Sequence, residues 1–219
     1  MDEDHQPFES GMVDPQGGLA SSRIAAVPAT VHRADLFTPP GGALVWMIVF
    51  LELLTFGIGL IVFLRFKAAE PESFRHGQAG LGQVAAFVNT LLLLTGGWLM
   101  ANALDRIRAQ RVSDALRGMG LAAAFGVAFL IVKGGEYTQK FGQGFDLHHD
   151  SFHTMYWLLT GFHYLHVVVA VILLVAMAWG LRHGKCTGDH ALNIESSAVF
   201  WHLCDLIWLL LMPVIYLLP

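Results

Sequence analysis

The order of apolar and polar positions divides the chain into a polar N-terminal part and an apolar remainder. Residues 1–42 contain an acidic cluster and several prolines, and no apolar run there is long enough to cross a membrane. This pattern predicts a disordered or weakly structured cytoplasmic tail. Residues 43–219 contain five long apolar segments, which are Ala43–Leu64, Val84–Leu104, Ala115–Gly135, Phe152–Leu181 and Ile194–Leu218.

Each apolar segment is long enough to cross a lipid bilayer. A transmembrane helix needs about 20 mostly apolar residues to span a hydrocarbon core about 30 Å thick. None of the five has a polar face to present to water, which excludes a soluble helical core. Because backbone N–H and C=O groups in lipid must be paired within the segment, we predict an all-α fold, a polytopic membrane bundle of five transmembrane helices.

The composition agrees with a membrane protein and excludes one class of partner. Of the 219 residues, 55% are hydrophobic and only 14% are charged, whereas soluble domains average about 25% charged residues. So few charges cannot cover a soluble surface. The formal net charge of -4 gives no basic surface for nucleic acid, so we expect no nucleic-acid partner.

The distribution of Lys and Arg predicts a cytoplasmic N-terminus and a C-terminus outside. Cytoplasmic loops of membrane proteins carry an excess of basic residues. With the N-terminus inside, eight of the 13 basic residues lie on the cytoplasmic side and five lie outside. The densest group, Arg106 to Arg117, falls in one short cytoplasmic loop.

A carboxyl group lies midway along the first apolar segment. Glu52 has apolar neighbours on both sides, and a charged carboxylate at bilayer depth is costly. We therefore expect Glu52 to be protonated, partnered or placed in a polar niche. Two roles are open, a structural hydrogen bond to a neighbouring helix and a functional role as a proton-relay or lipid-binding carboxyl.

The fourth and fifth segments each contain two polar residues three positions apart, a spacing that places both on one helix face. His163 and His166 could hold a metal ion, but hydrogen bonds to another helix are favoured because no carboxylate ligand lies nearby. His202 and Asp205 can neutralise each other, which is the least costly way to bury both. We expect all four to face the bundle interior and to join the fourth and fifth helices by hydrogen bonds.

A third polar group is expected at the outer membrane surface. It comprises Glu136 and Tyr137 at the end of the third segment, then His148, His149, Asp150 and His153 before the fourth. His149 and His153 could chelate a metal, but a hydrated histidine-rich loop is favoured because the group has no cysteine and no fixed ligand framework. We predict no metal site and no catalytic centre in this chain.

Small residues recur every four positions in the third segment, at Gly118, Ala122 and Gly126. Such a stripe lets another helix approach closely. Packing within the bundle is favoured over a dedicated dimer contact, because these stripes are common in membrane helices. The first and third helices are the candidates for tight packing, either internally or across an interface.

The segments around the polar residues of the fourth and fifth helices resemble the sequences of a known family. Residues 160–167 resemble the TGFHGxHV signature of cytochrome c oxidase subunit III. Residues 200–208, which include Trp201, His202 and Asp205, resemble its YWHFVDxxW signature. Together these two histidine motifs are specific.

Weaker matches agree with them in order and spacing across residues 43–219. Asn89 and Thr90 begin a run similar to the family's NTxxL helix, and Glu136–Tyr137 falls where the family has EY. Glu52 aligns with the glutamate of the family's SEVxxF run, which reacts with carbodiimide. Lys133 stands near a position where many members carry Gln.

The resemblance is to the shorter, five-helix members, which include bacterial oxidase subunits and accessory proteins associated with nitric oxide reductase. It implies a non-catalytic subunit of a haem–copper oxidase, of cytochrome c or quinol oxidase type, that stabilises the catalytic subunit and supports proton uptake. Haem and copper are then expected in that partner, bound laterally in the bacterial inner membrane, and not in this chain. A phospholipid is the one ligand implied, although the two helices that form one wall of the family's lipid cleft have no counterpart here.

Two alternatives to this function remain open. An accessory subunit of nitric oxide reductase would have the same fold and the same motifs. A stand-alone haem- or metal-binding membrane protein would use His163, His166 and His202, since a b-type haem needs axial histidines on facing helices and these are the only deep histidines.

Overall fold

A computed structural model describes residues 40–142, 150–184 and 189–218, and for residues 189–192 it describes the backbone alone. The elements follow in the order α1 (Gly42–Ala69), α2 (Pro71–Ala79), α3 (Gln83–Arg108), α4 (Val112–Gly142), α5 (Ser151–Arg182), α6 (Asp189–Met212) and a π-helical turn (Pro213–Leu217). No strand occurs within the described ranges.

Five of these helices confirm the predicted spanning segments. Helices α1, α3, α4 and α5 are long and apolar enough to cross a membrane, and so is Asn193–Leu217, which joins α6 to the π-helical turn. The chain is therefore a multi-pass membrane protein with an all-α fold. Most of the predicted tail, residues 1–39, lies outside the described residues, and α1 begins at Gly42.

The short helix α2 was not predicted by the apolar pattern. Pro71 occupies its first turn, where a missing N–H costs nothing. The buried ring of Phe74 lies 5.1 Å from Phe63 of α1 and 5.4 Å from Phe152 of α5, measured between ring centroids. Because α2 has only nine residues, it cannot span the bilayer, and it covers one end of the bundle instead.

Hydrogen bonds hold residues 215–218 at the end of the bundle that α2 covers, which we call the α2 end. The side-chain amide of Gln78 donates to the Ile215 carbonyl at 2.9 Å. The Lys67 ammonium donates to the Leu218 carbonyl at 2.6 Å. Helices α1, α4 and α6 therefore run toward the α2 end, and α3 and α5 run away from it.

The π-helical turn has a local chemical cause. Pro213 has no N–H, so the α-helical hydrogen bond at this position is lost. The Leu218 N–H donates to the Pro213 carbonyl at 2.8 Å, a five-residue step that widens the turn. Tyr216, within this turn, is buried in the bundle interior.

The small-residue stripe of α4 also lies inside the bundle. Gly118, Ala122 and Gly126 are all buried. A side chain at Gly118 would meet Ala103 of α3, and one at Gly126 would meet Trp201 of α6. The stripe therefore allows close approach between helices of this chain.

Candidate functional site

The most deeply buried charged group is a lysine in the half of the bundle toward the α2 end. The Lys133 ammonium of α4 donates to Glu136 Oε2 at 3.0 Å, to the Tyr156 hydroxyl at 3.1 Å and to the Tyr216 hydroxyl. The two tyrosine hydroxyls in turn donate to Glu136 Oε1 at 2.7 Å and 3.0 Å. We call these four residues, from α4, α5 and the π-helical turn, the lysine cluster.

The lysine cluster is closed and internally satisfied. An ammonium group has three protons to donate, and Lys133 has a partner for each of them. Aromatic rings enclose the same group, with centroids 4.9–5.6 Å from Nζ, and they belong to Tyr137, Tyr156, Trp208 and Tyr216. The Lys133 side chain is only 1% exposed, so its charge is compensated by Glu136 and by the ring faces.

The position of Lys133 differs from the one that the charge distribution predicts. Lys133 is one of the five basic residues assigned to the outside of the membrane, yet it lies within the spanning helix α4. Without it, four basic residues remain on the side assigned to the outside. Removing it leaves the sign of the bias unchanged and makes the bias larger.

His163 lies in an aromatic cage near the middle of the bundle. Its ring stacks on Trp208 of α6 at 5.3 Å and meets the rings of Phe129 and Phe56 edge-on at 5.9 Å and 6.4 Å. It is fully buried, and neither ring nitrogen has a hydrogen-bond partner among the described residues. Packing against Trp208, rather than hydrogen bonding, therefore links α5 to α6 at this position.

His166 faces a different helix from the one predicted. Its Nε2 lies 3.2 Å from Glu52 Oε2, which pairs α5 with α1. Its other ring nitrogen lies 2.8 Å from the Phe162 carbonyl. The two side chains are only 11% and 19% exposed. Glu52 therefore has the His166 ring as a close neighbour within the bundle, although its Oε2 makes no hydrogen bond among the described residues.

The second histidine–carboxylate pair lies within α6 alone. His202 Nδ1 is 3.5 Å from Asp205 Oδ2. Asp205 is buried, but the His202 side chain is 47% exposed and turns away from the interior. The prediction that these two residues and the two histidines of α5 join the helices by hydrogen bonds is wrong for the described residues, because His166 lies against α1, His163 has no hydrogen-bond partner and His202 pairs within its own helix.

The remaining polar residues of the motifs lie in the core. Trp208 Nε1 donates to the Thr90 hydroxyl at 2.9 Å, which ties α6 to α3. Asn89 is fully buried, and its amide has no partner among the described residues. Trp201 packs against the backbone of Gly96 and Gly126.

Asp150 caps the N-terminus of α5 at the α2 end. Its carboxylate accepts from the His153 N–H at 2.8 Å and from the Ser73 hydroxyl of α2 at 2.8 Å, and it contacts His153 Nδ1 at 2.5 Å. Burial alone would raise the pKa of Asp150, but these hydrogen bonds and the nearby imidazole hold the pKa below its usual range.

The predicted outer polar group is divided by the structure. Glu136 belongs to the lysine cluster, and half-buried Tyr137 packs against Trp157 at 4.8 Å. Asp150 and His153 form the helix cap, while His148 and His149 lie outside the described residues. Within the described ranges, no three His, Cys, Asp or Glu residues are grouped as metal ligands would be.

The comparison with known families gives a direct result. Residues 82–218 match the family model described as cytochrome c oxidase subunit III. This chain belongs to the cytochrome c oxidase subunit III family. The matched range begins at the residue before α3 and includes α3–α6 and the π-helical turn. Among the residues that carry the resemblance, only Glu52 of α1 precedes the matched range.

Individual members of the subunit III family are similar at modest identity. "Cytochrome c oxidase subunit 3" of Pylaiella littoralis is 31% identical over 59% of this chain and 47% of its own. That of Synechocystis is 26% identical over 78% of this chain and 70% of its own. "Probable cytochrome c oxidase subunit 3" of Rickettsia prowazekii is 29% identical over 60% of this chain and 47% of its own. The chain thus spans about half the length of two of these three relatives.

The lysine cluster is the part of this subunit III-type bundle that sequence reasoning missed. Lys133 and Glu136 are three positions apart, the same spacing that drew attention to His202 and Asp205. The signal is therefore present in the sequence, but the charge count places Lys133 among the basic residues outside the membrane. Tyr156 and Tyr216 gave no comparable signal, since their roles depend on how α5 and the π-helical turn fold against α4.

Proposed function

We propose that this chain is a non-catalytic membrane subunit of a haem–copper terminal oxidase. It binds the catalytic subunit laterally, stabilises it and supports its proton uptake in aerobic respiratory electron transport. The observation that carries this proposal is the match of residues 82–218 to the cytochrome c oxidase subunit III family. Haem and copper belong to the catalytic partner in this proposal, and this chain binds neither.

The arrangement of the deep histidines supports the absence of a haem centre in this chain. His163 is enclosed by Phe56, Phe129 and Trp208, whose ring centroids lie within 6.4 Å of its own. His166 is engaged by Glu52, and His202 lies on an outer face of α6. A bis-histidine haem needs two imidazoles aimed at one space, and these three are aimed at different ones.

Glu52 is the residue we assign to proton uptake. Its pairing with His166 places a titratable pair between α1 and α5, near the middle of both helices. Carbodiimide labelling tests this assignment, with Glu70 and Glu72 as exposed controls in the same chain. Preferential labelling of Glu52 supports a protonated acid in an apolar environment, whereas equal labelling of all three contradicts it.

The relatives named above favour an oxidase over nitric oxide reductase, since each is named as a subunit 3 of cytochrome c oxidase. The bacterial inner membrane is the location we propose, with the N-terminus in the cytoplasm. The larger number of basic residues on that side, with Lys133 set aside, supports this orientation.

Affinity purification tests the proposal as a whole. The tagged chain is extracted from its native membrane in a mild detergent, and the co-purifying proteins are identified by mass spectrometry. We expect a haem–copper catalytic subunit in stoichiometric amount, with haem and copper in the eluate. Recovery of the folded chain without any such subunit contradicts the proposal.

A further inference from the structure

A shallow groove of about 310 Å³ runs between α3 and α6 on the outside of the bundle. Its lining includes Leu94, Gly97, Trp98, Ala101, His202 and Leu206. Asp205 lies twelve residues from each end of the spanning segment Asn193–Leu217. At about 1.5 Å per residue this is about 18 Å of helix on either side, so the groove lies near the middle of the bilayer.

Polar atoms at this depth need a partner. The His202 side chain is 47% exposed, the most exposed of the paired titratable groups at mid-span in the described residues. Beside it, the Asp205 side chain is only 9% exposed, and its Oδ1 has no hydrogen-bond partner among the described residues. An imidazole facing hydrocarbon next to a buried carboxylate is costly, so lipid tails are a poor cover for this face.

The outer faces of α1 and α5 are apolar at this depth instead. The exposed side chains along α1 include Phe50, Leu54 and Ile58, and those along α5 include Leu165 and Ile172. All of these are suited to lipid. Within the part of the chain that the structure describes, the α3/α6 groove therefore stands out as the outer face with an ionisable side chain at mid-depth.

The shape of the groove suits a helix. Gly97 and exposed Ala101 are four positions apart on α3, a small-residue spacing that lets a neighbouring backbone come close. A side chain at Gly97 would collide with Asp205 Oδ2, so the glycine also seats the carboxylate against α3. Trp98, at 65% exposure, forms a large apolar rim that could pack against an incoming helix.

We propose that this groove receives a transmembrane helix of the catalytic subunit, which carries a hydroxyl, amide or cationic side chain opposite His202. The identity of the partner rests on the proposed function. A lipid headgroup cannot fill the role, because headgroups lie about 15 Å from the centre of a 30 Å core. A hydrogen-bonding side chain on a partner helix brings a polar group to that depth at much lower cost.

Site-specific photocrosslinking in the assembled complex tests this assignment. A benzophenone amino acid replaces Ala101 in the groove and, as the matched control, Ala176 on the outer face of α5. Both alanines are exposed and lie six or seven residues from the end of their helix at the same end of the bundle. After irradiation in the native membrane, the complex is purified and the crosslinked proteins are identified by mass spectrometry.

We expect the Ala101 probe to crosslink to the catalytic subunit and the Ala176 probe not to do so. Crosslinking at Ala176 alone, or equally at both positions, overturns the assignment of the groove but keeps the proposed function. The same holds if Ala101 crosslinks to a second copy of this chain, or to no protein although haem co-purifies. If the unmodified chain co-purifies with no haem protein, the proposed function fails and the inference fails with it.

Discussion

The two histidine–carboxylate pairs of the bundle have similar chemistry and opposite surroundings. Glu52 and His166 belong to different helices, lie 3.2 Å apart and are both mostly covered by the bundle. His202 and Asp205 belong to one helix, lie 3.5 Å apart and leave the imidazole open to the outside. The first pair joins parts of this chain, whereas the second is the one that we propose a partner helix completes.

This difference follows from what surrounds each pair. The His166 ring lies against Phe56, Phe162 and Phe200, with centroids 4.6–6.1 Å away, so aromatic side chains of three helices close that site. Gly97 and Ala101 leave the space beside His202 empty. Large side chains therefore enclose the Glu52–His166 pair, whereas small side chains leave the His202–Asp205 pair open to the outside.

The largest effect is expected at the lysine cluster, because its ion pair is more completely buried than either histidine–carboxylate pair. Lys133→Met leaves Glu136 buried without its cation, and breaking a buried ion pair in this way typically costs about 3–5 kcal/mol. We expect a corresponding loss in the free energy of unfolding, measured in detergent. The double variant Lys133→Met/Glu136→Leu removes both charges and should be less destabilised than the single one; equal or greater loss would show that the pair is not the source of the effect.

The next prediction tests whether the small-residue stripe of α4 lies inside the bundle. Gly126→Leu forces a side chain into Trp201 and Val171, and overpacking of this kind costs about 1–3 kcal/mol or more. The control is Gly120→Leu on the same helix, where an added side chain meets nothing. We expect the folded yield to fall for the first variant and to stay near that of the unchanged chain for the second. A folded Gly126→Leu chain that has lost only its partner would place the stripe at the interface instead.

A direct contrast between the pairs comes from His166→Leu and His202→Leu. His166→Leu removes the only polar ring recorded beside Glu52 in the described residues and leaves the carboxyl group among apolar side chains, at a cost of about 1–3 kcal/mol, so the yield of the folded chain should fall. His202→Leu should instead lower the ratio of assembled complex to folded chain. Size-exclusion chromatography of the membrane extract measures both quantities. If both variants change the same quantity, the two pairs do not differ in the way described here.

The smallest effect is expected at the cap of α5. Asp150→Ala removes an N-cap, which is worth about 1 kcal/mol. Because the pKa of Asp150 is lower in the folded chain than the ordinary 3.8, its contribution is present above that value and is lost as the pH falls below it. The difference in melting temperature between the two chains should therefore narrow in acid, and a difference that does not change with pH would contradict the assigned hydrogen bonds.

The sequence predicts the spanning helices well because length and apolarity are local properties. It misses α2, whose nine residues pack on Phe63 and Phe152 from distant parts of the chain. It also identifies His166 and His202 as notable residues but does not predict their neighbours. A three-residue spacing shows that two side chains share a helix face, but it does not show which helix packs against that face. Lys133 shows the same limit. A lysine near the end of an apolar segment suggests the end of a membrane span, and only the fold shows that Tyr156 and Tyr216 are its partners inside the bundle.

The central claim, that this chain is a subunit without its own redox centre, is tested most directly by absorption spectroscopy. The purified complex is separated in detergent into this chain and the catalytic subunit, and a spectrum is recorded for each. We predict a haem Soret band in the catalytic subunit alone. A Soret band that stays with this chain through purification and disappears in His202→Ala would contradict the account.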